Sequence, residues 1–189
     1  LYDPTLVVPL AFRFPGRVPE GKTVDDTCRL LDVTPTVLDM LGIDSGIDFD
    51  GRSLLPLAMG TPMPKIDEFY ITECTWMRKH GWRTPKWKYI KALEPDFHFK
   101  PEVELYDLEN DPLEYTNIAE LRQDIVMMLD KKMNDFIQGR EKEVGRTNPM
   151  HNNPNWHGLN IGRGFLSSEE AYNSLHIGSP GAAAKLQQK

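Results

Sequence analysis

The sequence predicts an α+β fold: the edge of an α/β layer, a small antiparallel sheet packed against a C-terminal helix, then an extended tail. Three observations predict it. Residues 69–76, 86–93 and 102–108 are rich in aromatic and β-branched side chains and are spaced as successive antiparallel strands. Ile118, Leu121, Ile125, Met128, Leu129, Met133, Phe136 and Ile137 recur at helical spacing, a stripe suited to covering one face of that sheet. Beyond residue 140 the composition turns to Asn-Pro and Gly clusters, which suit an extended segment.

Composition bounds the possibilities. A chain of 189 residues suits one ordinary domain, or one domain and a tail. Hydrophobic residues at 40% and charged residues at 26% are a globular balance. A net charge of −6 argues against a nucleic-acid partner, whose phosphates favour a basic face. No apolar run approaches the roughly 18–20 residues a bilayer requires, so no membrane partner is expected. Cys28 and Cys74 form no CxxC pair and read as free thiols.

The elements follow in order as three segments. Residues 1–60 read as the last elements of a larger α/β domain. Residues 5–14 resemble a buried strand, with Pro9 marking an edge or a break, and Pro15-Gly16 makes a turn. A second apolar segment, 28–33, runs into Thr34-Pro35-Thr36. Thr34 is a suitable N-cap and Pro35 suits the first helical position, where its missing N–H costs nothing. Val37, Leu38 and Leu41 share a face, and Gly42 can close the helix. A strand-like run at the very start suggests a chain cut in mid-fold. Its expected partner is a missing N-terminal catalytic part, and its unpaired edge favours self-association. Residues 46–60 form a loop-like connector. Residues 61–140, opening on Thr61-Pro62-Met63-Pro64, are the α+β subdomain, with a turn at Glu109-Asn110-Asp111-Pro112 and Gly139 as the helix stop. Residues 141–189 are the tail, helical only at 167–175 behind Ser168, with a frayed end.

Chemistry-bearing motifs are sparse. There is no Gly-rich phosphate loop, no GxSxG elbow and no HExxH helix. Asp25-Asp26 reads as a solvated turn. Asp44, Asp48 and Asp50 have calcium-loop spacing, but no Glu stands at the twelfth position. His98, His151, His157 and His176 lack metal-ligand spacing. No catalytic residue and no metal ligand is therefore assigned. The densest cluster is Trp76-Met77-Arg78-Lys79-His80-Gly81-Trp82-Arg83, between two expected strands. Guanidinium groups pair with sulfate or carboxylate oxygens and indoles stack on rings, which makes Trp76, Arg78, His80, Trp82 and Arg83 candidate substrate-binding residues. The same composition also describes a hairpin with its rings packed inward and its cations solvated.

Several phrases taken together resemble a sulfatase of the alkaline-phosphatase superfamily, the formylglycine-dependent type. LYDPTLVVPL at residues 1–10, with Phe14-Pro15-Gly16, is similar to the family segment that follows its last active-site residues. DVTPTVLDMLG at 32–42 resembles the family's Asp-x-x-Pro-Thr helix, and DGRSLLPL at 50–57 its Asp-Gly-x-Ser-Leu element. RTPKWKYI at 83–90 looks like its Trp-Lys-Tyr strand. ELYDLENDP at 104–112, continuing to Asn117, resembles its C-terminal sheet-to-helix signature. The resemblance implies hydrolysis of a sulfate ester by a formylglycine hydrate, made from Cys or Ser in a Cys/Ser-x-Pro-x-Arg motif, beside calcium or another divalent cation. Neither Cys28-Arg29-Leu30 nor Cys74-Thr75-Trp76 matches that motif, and the family's metal ligands and sulfate-holding residues lie upstream of Leu1. The expectation is thus a C-terminal part of a sulfatase, inactive alone, without cofactor of its own, shaping the substrate entrance for a sulfated small molecule or glycan. Two alternatives stand beside it: the same region of a phosphonate or phosphate monoester hydrolase, and a non-catalytic carbohydrate-binding or oligomerisation module.

Overall fold

The computed structural model describes residues 1–74, 78–93 and 100–152. Trp76, His98, His157, His176 and the expected helix at 167–175 lie outside the described residues. The chain divides into two compact units: residues 8–67, and residues 1–7 together with everything from Glu68 onward.

The expected strand at 5–14 is not formed. Asp3–Leu6 make a single helical turn, α1, and residues 7–14 carry no regular structure. Pro4, early in that turn, has the fixed φ a helix start needs, and no described strand pairs with the residues that follow.

In residues 8–67 a 3-10 turn, Leu30–Asp32, leads into α2 (Val33–Leu41), and a connector leads to α3 (Leu55–Met59). Here too the segment expected as a strand, 28–33, is turn and helix start. The helix begins before Thr34, with Asp32 at the N-cap. Asp32 is fully buried, and its carboxylate accepts the backbone N–H of Arg29 at 2.8 Å and of Arg52 at 3.0 Å, with the Arg29 guanidinium at 3.1 Å. Thr36 Oγ1 donates to the Asp32 carbonyl at 2.5 Å and accepts the Leu54 N–H at 2.8 Å. Ser53 Oγ donates to Asp39. The Asp-x-x-Pro-Thr helix and the Asp-Gly-x-Ser-Leu connector are therefore stitched together by the residues that define each phrase. Gly51 completes the joint, because a Cβ there would lie 2.0 Å from the Leu31 carbonyl oxygen.

The larger unit is a four-stranded antiparallel meander, β1 (Phe69–Glu73), β2 (Lys79–Arg83), β3 (Trp87–Ala92) and β4 (Val103–Asp107), in sequence order. The sheet, the covering helix and the α+β class agree with the expectation. β2 was not expected as a strand, since its Lys, His, Gly and Arg carry a weak strand signal. It forms because β1 and β3 pair with it on both edges. Register then fixes the two faces. Tyr70, Trp82, Tyr89 and Leu105 stand in one row across the sheet, as do Thr72, His80, Lys91 and Val103. This face meets α4 (Gln123–Val144) through Tyr89, Leu105, Val126, Leu129, Met133 and Ile137. Gly139 does not stop α4; the helix runs on to a left-handed Gly145. The stripe is correspondingly narrower than expected, leaving Leu121 79% and Met128 43% exposed. A short helix, α5 (Pro149–Asn152), follows.

Candidate functional site

The opposite face of the sheet carries rows Phe69, Arg83, Lys88, Tyr106 and Ile71, Gly81, Ile90, Glu104. Ile71, Ile90 and Tyr106 form a second core with Leu1, packed by Tyr2 and Leu6. Charged groups lie beside it, buried or partly buried and paired with one another. Lys79 donates to Glu104 at 3.0 Å, and Glu104 also accepts the hydroxyls of Tyr2 at 2.8 Å and Tyr106 at 2.5 Å. Lys88, wholly buried, pairs with Asp3 and, at 2.6 Å, with Glu114. Glu114 in turn accepts the Asp3 N–H at 2.7 Å. Arg83 reaches Asp3 at 3.1 Å. Burial works to raise the Asp3 carboxyl pKa, but hydrogen bonds from Arg83 and Lys88 outweigh it and hold it below its ordinary value. Three cations meet three carboxylates, the arrangement a buried ionic group needs.

The α4 face holds a different cluster. His80 is 2% exposed and lies edge-on to Tyr70 and to His151, with ring centroids 5.8 Å and 5.4 Å away. Its Nδ1 is 3.1 Å from the Tyr70 hydroxyl, while Nε2 is buried without a partner. Burial, then the neighbouring His151 and Lys91, push its pKa down to about 4, so the ring is neutral at physiological pH. The Tyr70 hydroxyl also accepts Asn148 Nδ2 at 3.2 Å. Arg78 Nη1 donates to the Met150 carbonyl at 3.0 Å. Trp82 Nε1 donates to Glu68 at 2.9 Å, and its ring packs edge-on against Phe136 at 5.7 Å.

The candidate residues are thus divided by the pleat of one strand. Arg78, His80 and Trp82 gather on the α4 side, joined there by Tyr70, Asn148 and His151. Arg83 turns to the other face and is occupied by Asp3. Tyr70 and Asn148 carried no motif in the sequence; only pairing of β1 with β2 and the turn after α4 bring them to His80. Among the described residues no three His, Cys, Asp or Glu side chains are grouped to hold a metal ion. Asp44 instead accepts the Gly46 N–H of its own loop at 3.0 Å.

A small antiparallel sheet with one covering helix, and a helical unit stitched by Asp32 and Thr36, make this an α+β chain. Residues 1–139 match the family model described as N-sulphoglucosamine sulphohydrolase, C-terminal, and the chain belongs to that sulfatase family. It is 33% identical over 151 residues to arylsulfatase K of Homo sapiens, covering 72% of this chain and 27% of the relative. Against the choline-sulfatase of Rhizobium meliloti (strain 1021) identity is 40% over 119 residues, 60% of this chain and 21% of the relative. The chain therefore spans about a quarter of the length of these relatives. Among solved structures it resembles a protein bound to its substrate D-glucosamine-2-N,6-O-disulfate, with a TM-score of 0.54 and 25% identity over 74% of this chain and 29% of that one. It shares its fold with a putative sulfatase from Bacteroides thetaiotaomicron, TM-score 0.50 and 22% identity over 81% of this chain and 31% of that one.

Proposed function

We propose that this chain is the C-terminal part of an enzyme that hydrolyses sulfate esters, and that it shapes the substrate entrance. The match of residues 1–139 to the sulfatase C-terminal family carries the reading. The formylglycine nucleophile, the divalent cation and the groups that hold the sulfate belong, in this proposal, to the N-terminal catalytic part. The chain by itself has no turnover. A sulfated sugar is the favoured substrate class, supported by the disulfated glucosamine bound to the similar solved structure.

Within that reading, Trp76 and Arg78 make direct contact with substrate. Arg78 is half-buried, and its fixed charge suits a sulfate or carboxylate oxygen. His80 and Trp82 hold β2 against α4, and Arg83 holds Asp3, so these three support the entrance from behind. The test is kinetic, in the full-length enzyme. Arg78→Gln is expected to raise KM for a sulfated sugar about tenfold with kcat little changed, the signature of lost uniform binding. An unchanged KM would remove Arg78 from the entrance.

A further inference from the structure

The cations on one face of the sheet meet carboxylates, but His80 on the α4 face does not. Its Nε2 has no hydrogen-bond partner among the described residues, and its Nδ1 faces the Tyr70 hydroxyl at 3.1 Å. That hydroxyl already accepts Asn148 Nδ2 at 3.2 Å, so its own proton suits Nδ1. A neutral ring satisfies this arrangement. A second ring proton would set two donors against each other across the same gap, with Nε2–H still buried and without an acceptor.

The ionisable groups around His80 come from every element packed on this face. Lys91 of β3 is its partner in the sheet register, and His151 of α5 lies edge-on at 5.4 Å. Burial first, then His151 and Lys91, disfavour a charged ring. Asp130 of α4 favours one, but its carboxylate already accepts the Tyr89 hydroxyl at 2.7 Å, Asn134 at 2.8 Å and Lys91 at 3.5 Å. Glu141 of α4 is spent on the Asn148 N–H at 2.7 Å, and Arg78, just ahead of β2, adds a fixed cation. A proton on His80 therefore has to be solvated by water.

Of the elements over His80, α5 is the one that can give way. The strands are paired across the sheet, and α4 is anchored by the fully buried Leu129 and Met133. By contrast α5 has four residues, too few to stand as a helix by itself. It is held by the Met150 N–H on Asn148 Oδ1 at 3.0 Å, by Arg78 Nη1 on the Met150 carbonyl at 3.0 Å, and by burial of the Met150 side chain. His151 is already exposed, so turning it outward buries and uncovers little.

We propose that α5 is a pH-sensitive latch over β2, which opens to admit water when His80 takes up a proton. Opening breaks the Arg78–Met150 bond, so the latch acts on a residue that the function proposed above assigns to substrate. The latch itself does not depend on that assignment.

The experiment is hydrogen exchange read by mass spectrometry on the full-length protein at pH 7 and pH 4.5, with rates referred to an unstructured peptide at the same pH. The reporters are the hydrogen-bonded amides of Asn148, Met150 and His151. The closed ring has a pKa of about 4 against an ordinary 6.5, so protons favour the open state below 6.5 and leave it unfavoured above. Linkage then raises the opening equilibrium about fiftyfold between the two conditions. Protection of residues 146–152 is expected to fall by about that factor, while residues 126–137 of α4 stay the better protected. His80→Gln is expected to remove the pH dependence, and His151→Gln, which keeps the trigger, to retain it. Equal protection of 146–152 at both pH values overturns the proposal. So does the same fall in His80→Gln, or its disappearance in His151→Gln, which would move the trigger to the wrong imidazole. Loss of protection in 146–152 and 126–137 together would be general unfolding and would also overturn it. Should His80→Gln not fold, the wild-type comparison and His151→Gln still decide.

Discussion

Gly81 sits in the middle of β2, where a Cβ would stand 2.1 Å from the Tyr89 carbonyl oxygen. No side chain can give way, because the obstacle is backbone. Gly81→Ala should therefore cost about 3 kcal/mol or more, read as a lowered denaturation midpoint in urea. His80 makes a prediction of a different kind. Its folded pKa is depressed to about 4 by burial, against an ordinary value of 6.5. Above the ordinary value the ring is neutral in both states and contributes nothing to pH dependence. As pH falls below about 6.5 the unfolded chain takes up a proton that the folded chain refuses, so stability drops until about pH 4, by about 3 kcal/mol. Chemical denaturation at pH 7 and pH 4.5 measures it. His80→Gln should flatten that part of the profile, and an unchanged slope would count against a buried neutral imidazole.

At the scale of elements, the phrases that identified the family turn out to be structural joints. Asp32, Thr36 and Gly51 lock a helix to a connector, while Lys88 and Glu104 build the buried charges under the sheet. Lys88→Met leaves Asp3 and Glu114 without their shared cation and should destabilise the larger unit by about 3–5 kcal/mol. Arg83→Gln, at a partly exposed pair with Asp3, should cost about 1 kcal/mol or less. A thermal melt that ranks the two the other way would contradict the network as drawn. This scale also shows how far the sequence could be read. β1, β3, β4 and the long helix were legible because periodicity and composition agree in them. β2 was not, since its strand character comes from neighbours on both edges, and pairing at a distance leaves no local trace. The segments 5–14 and 28–33 misled for the converse reason: apolar, β-branched composition suggests a strand, but a strand exists only where a partner edge is supplied. The candidate site was half legible. Arg78 and His80 were found from their unusual density of charge and rings, whereas Tyr70 and Asn148 join them only through the tertiary fold.

At the scale of the molecule, residues 8–67 expose Leu30 at 73%, Leu41 at 59% and Ile47 at 64%, a large apolar display for so small a unit. On the function proposed above, an N-terminal catalytic part would cover these side chains. The chain on its own is then expected to self-associate, with light scattering above that of a monomer and binding of an apolar dye. A clean monomer that binds no dye would argue that the face needs no cover.

On the function proposed above, this chain completes an enzyme whose reacting groups lie outside it. Sulfate release from a sulfated sugar, measured for the full-length protein and for residues 1–189 alone, tests it most directly. Turnover is expected from the first, abolished when the nucleophile of a Cys/Ser-x-Pro-x-Arg motif is replaced by Ala, and none from the second. Hydrolysis by residues 1–189 alone, or a full-length protein that cleaves phosphonate monoesters and leaves sulfate esters untouched, would contradict it.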